Sequence, residues 1–281
     1  MDRHVLNVRC RNRPGVVAAV SGEVFANGGD ITEAAQFDDA LTGQFFMRVV
    51  FAMPGGVAAC REGIERLAAQ FGMDWSLRSP AARPKVLILV SRFDHCLVDL
   101  LYRMRIGELD MECVGVVSNH PRDMLGSSIP DGIAFEHLPV TSQNKPRQEA
   151  RIKEIVAETG ADLIVLARYM QILSDDLASF LSGRCINIHH SFLPGFKGAR
   201  PYHQAHERGV KMIGATAHYV TEDLDEGPII AQDVEHVTHA HTPDDMIRKG
   251  RDIERRVLAR AVSLHLDGRV MLNGRKTVVF A

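Results

Sequence analysis

No window of the sequence approaches the roughly 18 consecutive apolar residues of a membrane span, and the longest apolar stretches, such as Val86-Leu87-Ile88-Leu89-Val90, have strand length. Charge of one sign is also lacking. Lysine and arginine total 33 against 35 acidic residues, a formal net charge of -2, so no broad field gathers nucleic acid or a membrane surface. Any partner must be recognised at a site. The five cysteines (Cys10, Cys60, Cys96, Cys113, Cys185) form no C-x-x-C pair, and the chain opens without the apolar run of a secretory leader; the expected setting is a reducing cytoplasm. No H-E-x-x-H stands among the 13 histidines and no Cys-rich ligand set accompanies them. His189-His190, His203-x-x-His206 and the histidines of 236–241 are therefore read as solvated side chains, and no metal is expected. The dinucleotide fingerprint G-x-G-x-x-G is missing after the first α/β strand. There is no internal repeat and no low-complexity tract.

What is present is an ordinary globular composition. With 46% apolar and 24% charged residues over 281 positions, the chain can bury one large core or two smaller ones. Residues 4–10 form a mostly apolar run, and Asn12-Arg13-Pro14-Gly15 punctuates it before a helix in which Val17, Val20 and Val24 recur, stopped by Asn27-Gly28-Gly29. DITEAAQFDD and QFFMRVVFA read as a hairpin, the second strand alternating Phe45, Met47, Val49 and Phe51 on one face. Val57, Cys60, Ile64, Leu67 and Phe71 then keep helical spacing, and residues 73–78 return as a strand. The order is βαββαβ, a split β-α-β sandwich over residues 1–80. SPAARP, residues 79–84, reads as the linker region, with the linker itself set at 81–84.

From residue 85 to residue 281 the rhythm becomes strand, helix, strand. Continuous Val/Ile/Leu runs separated by helices imply a doubly wound, mostly parallel sheet covered on both faces. Helices are expected at 96–106, near 147–159, near 174–181 and from about Pro243 to Leu266, with strands including GIAFEHLP and CINIHH and a terminal hairpin in VMLNGRKTVVF. Ligands bind such sheets outside the carboxyl ends of the strands. That is where Asn187-Ile188-His189-His190 and the loop after DLIVLA fall.

Asn187 and His189, two apart on a strand, point the same way near its exit. An amide is a fixed oxyanion donor, and an imidazole can donate to the same developing charge. A polar pair at a strand end can equally cap the following loop, so a third group is needed. Thr221 to Pro228 packs four carboxylates between two β-like segments; most acidic turns are solvated. Asp225 stands out because it precedes the Gly227-Pro228 step that redirects the chain. A positioned Asp near a His is a common arrangement for activating water.

NIHHSFLPG, at 187–195, resembles the N-I-H-P-S-L-L-P signature of folate-dependent formyltransferases, and HYVTEDLDEGPII resembles their H-x-V-x-x-x-x-D-x-G-x-I segment. The resemblance implies that Asn187, His189 and Asp225 are the catalytic Asn, His and Asp. ARYMQIL at 167–173 is similar to the loop that holds the folate pterin, which nominates Tyr169, Met170, Gln171, Ile172 and Leu173 as substrate-binding residues. The transferases that act on glycinamide ribonucleotide carry a Gly- and Ser-rich phosphate loop after the first strand. Here SRFDHCLVDLL, residues 91–101, has no glycine. Asp94 would repel a phosphate, although Arg92 and the helix start would attract one; with that cradle missing, water becomes the formyl acceptor.

NRPGVVAAVSGEVFANGGDI resembles the ligand-sensing ACT domain, with Asn12 where its D-R-P-G opening has Asp. An ACT domain ahead of a formyltransferase-like domain resembles the formyltetrahydrofolate deformylase family over nearly the whole chain. SRFDHCL and FKGARPYHQA are similar to that family too, so His95 and Lys197 become further candidate site residues. The resemblance implies hydrolysis of 10-formyltetrahydrofolate to formate and tetrahydrofolate, supplying formate for purine biosynthesis and balancing the one-carbon folate pool. It implies no cofactor beyond the folate substrate, a cytoplasmic homo-oligomer, and a small amino-acid effector at the ACT domain. Two rivals stay open: transfer to an amine such as glycinamide ribonucleotide, and a non-catalytic amino-acid sensor.

Overall fold

A computed structural model describes residues 3–79, 83–126, 129–193 and 201–281. Its contacts divide the chain into one unit of Met1–Arg83, Asp267–Asn273 and Val278–Ala281 and a second of Pro84–Leu266 and Gly274–Thr277. The first unit follows the expected order: β1 Arg3–Arg11, α1 Val16–Ala26, β2 Asp30–Asp39, β3 Gln44–Ala52, α2 Ala58–Phe71 and β4 Asp74–Arg78. The strands lie in the order β2-β3-β1-β4, each pair antiparallel.

Leu6, Val8 and Cys10 of β1 and Phe45, Met47, Val49 and Phe51 of β3 form a core with Cys60 and Ile64 of α2. From α1 the buried stripe is Val16, Val20 and Val24, at strict i, i+4 spacing. Val17, expected on that stripe, is 39% exposed; the turn geometry favoured its neighbour.

The opposite face of this sheet is covered as well. Arg48 on β3 is fully buried, which a sheet with one wet face would not require. The covering segment is the chain's own terminus: Asn7 donates to Gly268 O (2.8 Å), Arg48 Nη2 to Asp267 O (3.1 Å), and Arg9 Nη1 to Leu272 O (3.2 Å). Glu33 Oε1 accepts from both Arg48 Nη1 (2.8 Å) and Arg269 Nη1 (3.1 Å). The expected terminal hairpin forms from β12 Val270–Asn273 and β13 Lys276–Val279, numbered to follow the strands of the second unit.

In the second unit, β5 Lys85–Val90, β6 Glu112–Ser118, β7 Phe135–His137, β8 Leu163–Leu166, β9 Cys185–His189, β10 Met212–Tyr219 and β11 Ile229–His236 form one sheet. Its order is β11-β10-β9-β8-β5-β6-β7. The pairs from β7 through β9 are parallel, and β10 and β11 are antiparallel additions. Helices α3 His95–Arg105, α4 Lys145–Thr159, α5 Asp175–Phe180 and α7 Pro243–Leu266 stand where apolar periodicity expects them. α6 Pro201–Glu207 is a helix that the sequence reading does not include, being seven residues long and too short to show a period. GIAFEHLP yields only the three residues of β7.

β5 is buried along Val86–Val90, as a central parallel strand must be. Its neighbours β6 and β8 come from opposite directions of the winding, so the carboxyl ends of β5, β8 and β9 open on a topological switch point. No helix among the described residues is long and apolar enough to cross a membrane.

Because Arg48 is fully buried and Glu33 accepts two of the guanidinium bonds around it, Glu33→Gln is expected to lower unfolding free energy by about 1–3 kcal/mol. Urea denaturation of the full chain reads the change. A variant as stable as the parent would show that Arg48 does not depend on this carboxylate.

Candidate active site

Three chain segments line one cavity of about 300 Å³: the loop after β8, the end of β9, and the turn after β10. The first is tied down by backbone hydrogen bonds. Ala167 N donates to Leu89 O (2.8 Å), Ser91 N to Arg168 O (3.2 Å), and Met170 N to the Ser91 hydroxyl (2.9 Å). Met170 and Ile172 are 53% and 60% exposed, apolar surface suited to a flat ring. Tyr169 instead turns inward, its hydroxyl accepting from Gln148 Nε2 at 2.6 Å. Burial pushes that phenol up to about 12.

Asn187 and His189 share a face of β9, and antiparallel pairing sets Asn187 opposite His218 and His189 opposite Thr216. His218 Nδ1 lies 2.9 Å from the Tyr219 carbonyl, which only accepts, so the ring's proton sits on Nδ1. The neutral ring accepts at Nε2 from Asn187 Nδ2, 3.3 Å away, and the protonated ring offers Nε2–H to Asp225 instead. Asp225 Oδ1 stands 3.7 Å from the same Nε2 and 3.2 Å from His189 Nδ1. His189 Nε2 is buried and has no hydrogen-bond partner among the described residues.

Of the four carboxylates between Thr221 and Pro228, Glu222, Asp223 and Glu226 are exposed and Asp225 is half-buried. Burial pushes the Asp225 carboxyl up, but hydrogen bonds and charge from His189 and His218 outweigh it and hold the group well below the usual carboxylate range. It is ionised at neutral pH.

The turn is rigid for a local reason. Asp225 has φ 57°, a left-handed conformation that aspartate tolerates. A Cβ on Gly227 would sit 1.8 Å from the Tyr219 carbonyl oxygen, so only glycine permits that approach.

His190 follows His189 directly, so strand alternation would turn it to the opposite face from Asn187 and His189. β9 ends at His189, so strand parity no longer governs its neighbour, and His190 lines the cavity with its ring stacked on His189 at 5.1 Å. Burial, then the Arg168 guanidinium and His189, lower its pKa to about 4. It is a neutral ring at physiological pH.

His95 does not line the cavity. Its Nε2 is 2.8 Å from Glu254 Oε2 on α7, whose other oxygen accepts from Tyr202 (2.8 Å). Among the described residues, His95, Cys96 and Glu254 are the one trio of metal-ligand types with donor atoms within 4.8 Å of one another. That carboxylate is already shared with Arg168, 3.3 Å away, and burial pushes the Cys96 thiol well up, away from the thiolate a metal takes. Lys197 lies outside the described residues.

His218 is the residue that a reading of the sequence left out. It opens the very segment, HYVTEDLDEGPII, that singled out Asp225; the signal available was the antiparallel return of β10, invisible before the strands were paired.

With this geometry in place, comparison with known proteins decides the family. Residues 84–262 match the Formyl transferase family and residues 4–57 the ACT domain. A formyltetrahydrofolate deformylase of Corynebacterium sp. (strain P-1) is 53% identical over 280 residues, covering 99% of this chain and 98% of that one. The chain belongs to the formyltetrahydrofolate deformylase family. The crystal structure of the Burkholderia mallei deformylase superposes with a TM-score of 0.95 at 50% identity, covering 100% of both chains. Glycinamide ribonucleotide transformylase 1 from Symbiobacterium toebii is more distant, with a TM-score of 0.65 and 28% identity over 73% of this chain and 98% of its own. The deformylases match along the whole of this chain, ACT domain included, whereas the transferase leaves over a quarter of it without a counterpart.

A depressed carboxyl contributes stability above its unfolded pKa of about 3.9 that is lost as pH falls toward the folded value. The stability gap between the parent and Asp225→Asn is expected to hold at pH 5 and narrow by pH 3. Urea midpoints at the two pH values measure it, and a constant gap would contradict the ionised, imidazole-held carboxylate.

Proposed function

We propose that this chain hydrolyses 10-formyltetrahydrofolate to formate and tetrahydrofolate, with Asp225, His189 and Asn187 carrying the reaction. The observation that bears most weight is the meeting of an ionised carboxylate, an imidazole with an unspent nitrogen and an amide on one cavity wall. Oδ1 of Asp225 is the atom nearest both imidazoles, and Oδ2 meets the water. A carboxylate held so far below its usual range is a weak base alone; the Asp225–His189 pair takes the proton as a unit. Water oxygen then bonds to the formyl carbon, and the carbonyl electrons move onto oxygen.

One Asn187 amide proton is committed to His218, which leaves the second for that oxyanion, beside His189 Nε2. Collapse breaks the C–N10 bond as the proton held by the pair moves to N10. The acid released gives its proton to solvent and departs as formate. This chemistry uses the folate as substrate and calls on no metal or other cofactor.

The folate lies along the loop of Tyr169 to Leu173, its pterin against the exposed Met170 and Ile172 with Gln171 beside them. Tyr169 contributes by shaping the loop from beneath. His95 acts from behind the wall through Glu254, and Lys197 serves from the segment after β9. The ACT domain takes a small amino-acid effector and pairs copies of the chain into a homo-oligomer. The five free cysteines suit a cytoplasmic enzyme that feeds formate to purine synthesis and balances the one-carbon folate pool.

The purified protein is expected to release formate from 10-formyltetrahydrofolate with no amine present. Consumption that begins only when glycinamide ribonucleotide is added would make it a transferase, and no turnover in either case would make it a sensor. Loss of one oxyanion donor costs about 2.7–4 kcal/mol, so Asn187→Ala should lower kcat by about 10² to 10³ with KM little changed. Asp225→Asn should lower it at least as far; steady-state kinetics on either variant with turnover intact removes that residue from the mechanism.

A further inference from the structure

Among the described residues two non-glycines hold a positive φ, Asp225 and Arg168, the latter at 64°, and both line the same cavity. Aspartate enters that conformation readily and arginine does not. The backbone is held there by two hydrogen bonds, Arg168 N to Leu166 O (3.1 Å) and Ser91 N to Arg168 O (3.2 Å). Strain fixed in this way points to a function for the side chain it aims.

The guanidinium is only partly matched. Its Nε lies 3.3 Å from Glu254 Oε2, but among the described residues neither Nε nor Nη1 finds a hydrogen-bond partner, although both are buried. Glu254 is meanwhile satisfied by His95 and Tyr202. The guanidinium stands 5.9 Å from the centroid of the Phe93 ring. Buried donors left unmade are costly, and those of Arg168 belong to a residue that lines the cavity.

We propose that Arg168 is the docking group for the small planar carboxylate that water attack sets free, namely formate. The inference rests on the hydrolytic reading above. Transfer to an amine would leave a neutral formamide, whereas hydrolysis creates an anion next to the already ionised Asp225. Two guanidinium N–H groups match the two oxygens of a carboxylate. Arg168 thus draws the product away from the carboxylate that made the nucleophile.

The test is inhibition of the full-length enzyme by sodium formate during turnover of 10-formyltetrahydrofolate. Arg168→Gly suits the positive φ and is expected to raise the formate inhibition constant about tenfold or more, with a smaller change in the KM for folate. Because that change withdraws a cation from Glu254, Arg168→Gly/Glu254→Gln is measured beside it, and thermal melts establish that each folds. Arg168→Lys keeps the charge and loses the fork, and serves if the glycine variants do not fold; it too should weaken inhibition. Formate inhibition unchanged in the folded variants, or absent in the parent, overturns the proposal while formate release by the parent keeps the hydrolytic reading. Failure of the parent to release formate overturns both.

Discussion

The site depends on one carboxylate oxygen placed between two imidazoles. Asp225 Oδ1 approaches His189 Nδ1 and His218 Nε2 at 3.2 Å and 3.7 Å, and each partner arrives from a different segment. His189 comes from β9, His218 from the antiparallel strand beside it, and Asp225 from the turn that follows. An otherwise parallel sheet could not offer this, since direct cross-strand opposition of Asn187 and His218 belongs to the antiparallel ladder. The contact fixes the charge of Asp225, the orientation of the Asn187 amide and, through Gly227, the path of the turn.

The cavity is consequently polarised. At one side stands a carboxylate whose proton affinity has been reduced by its neighbours; at another stands a guanidinium with donors to spare. His190, neutral and stacked on His189, is within the influence of both charges. A neutral formyl group can enter such a field without penalty, and a charge that develops on it has a definite direction in which to relax.

Much of this was legible in the sequence, for identifiable reasons. The βαββαβ order could be read because Cys60, Ile64 and Leu67 keep helical spacing and Phe45 to Phe51 keep the period of a strand. Asn187, His189 and Asp225 could be nominated because parity and a Gly-Pro step constrain them locally. What could not be read depends on pairing distant segments. His218 gains its place only through the register of β9 with β10, His190 escapes parity because its strand has ended, and Arg48 is buried by residues more than 200 positions away. The one-residue error at Val17 is of another kind: Val16 and Val17 are chemically alike, and only packing separates them.

The terminal segment that covers Arg48 bears on synthesis. Asn7, Arg9, Arg48 and Glu33 are made early, yet their partners Asp267, Gly268, Arg269 and Leu272 follow more than 200 residues later. The unit that begins first is completed last. While the ribosome is still at work, its sheet must wait with one face uncovered, so a chain that stops short of the terminal hairpin leaves the Arg48 guanidinium held by Glu33 alone.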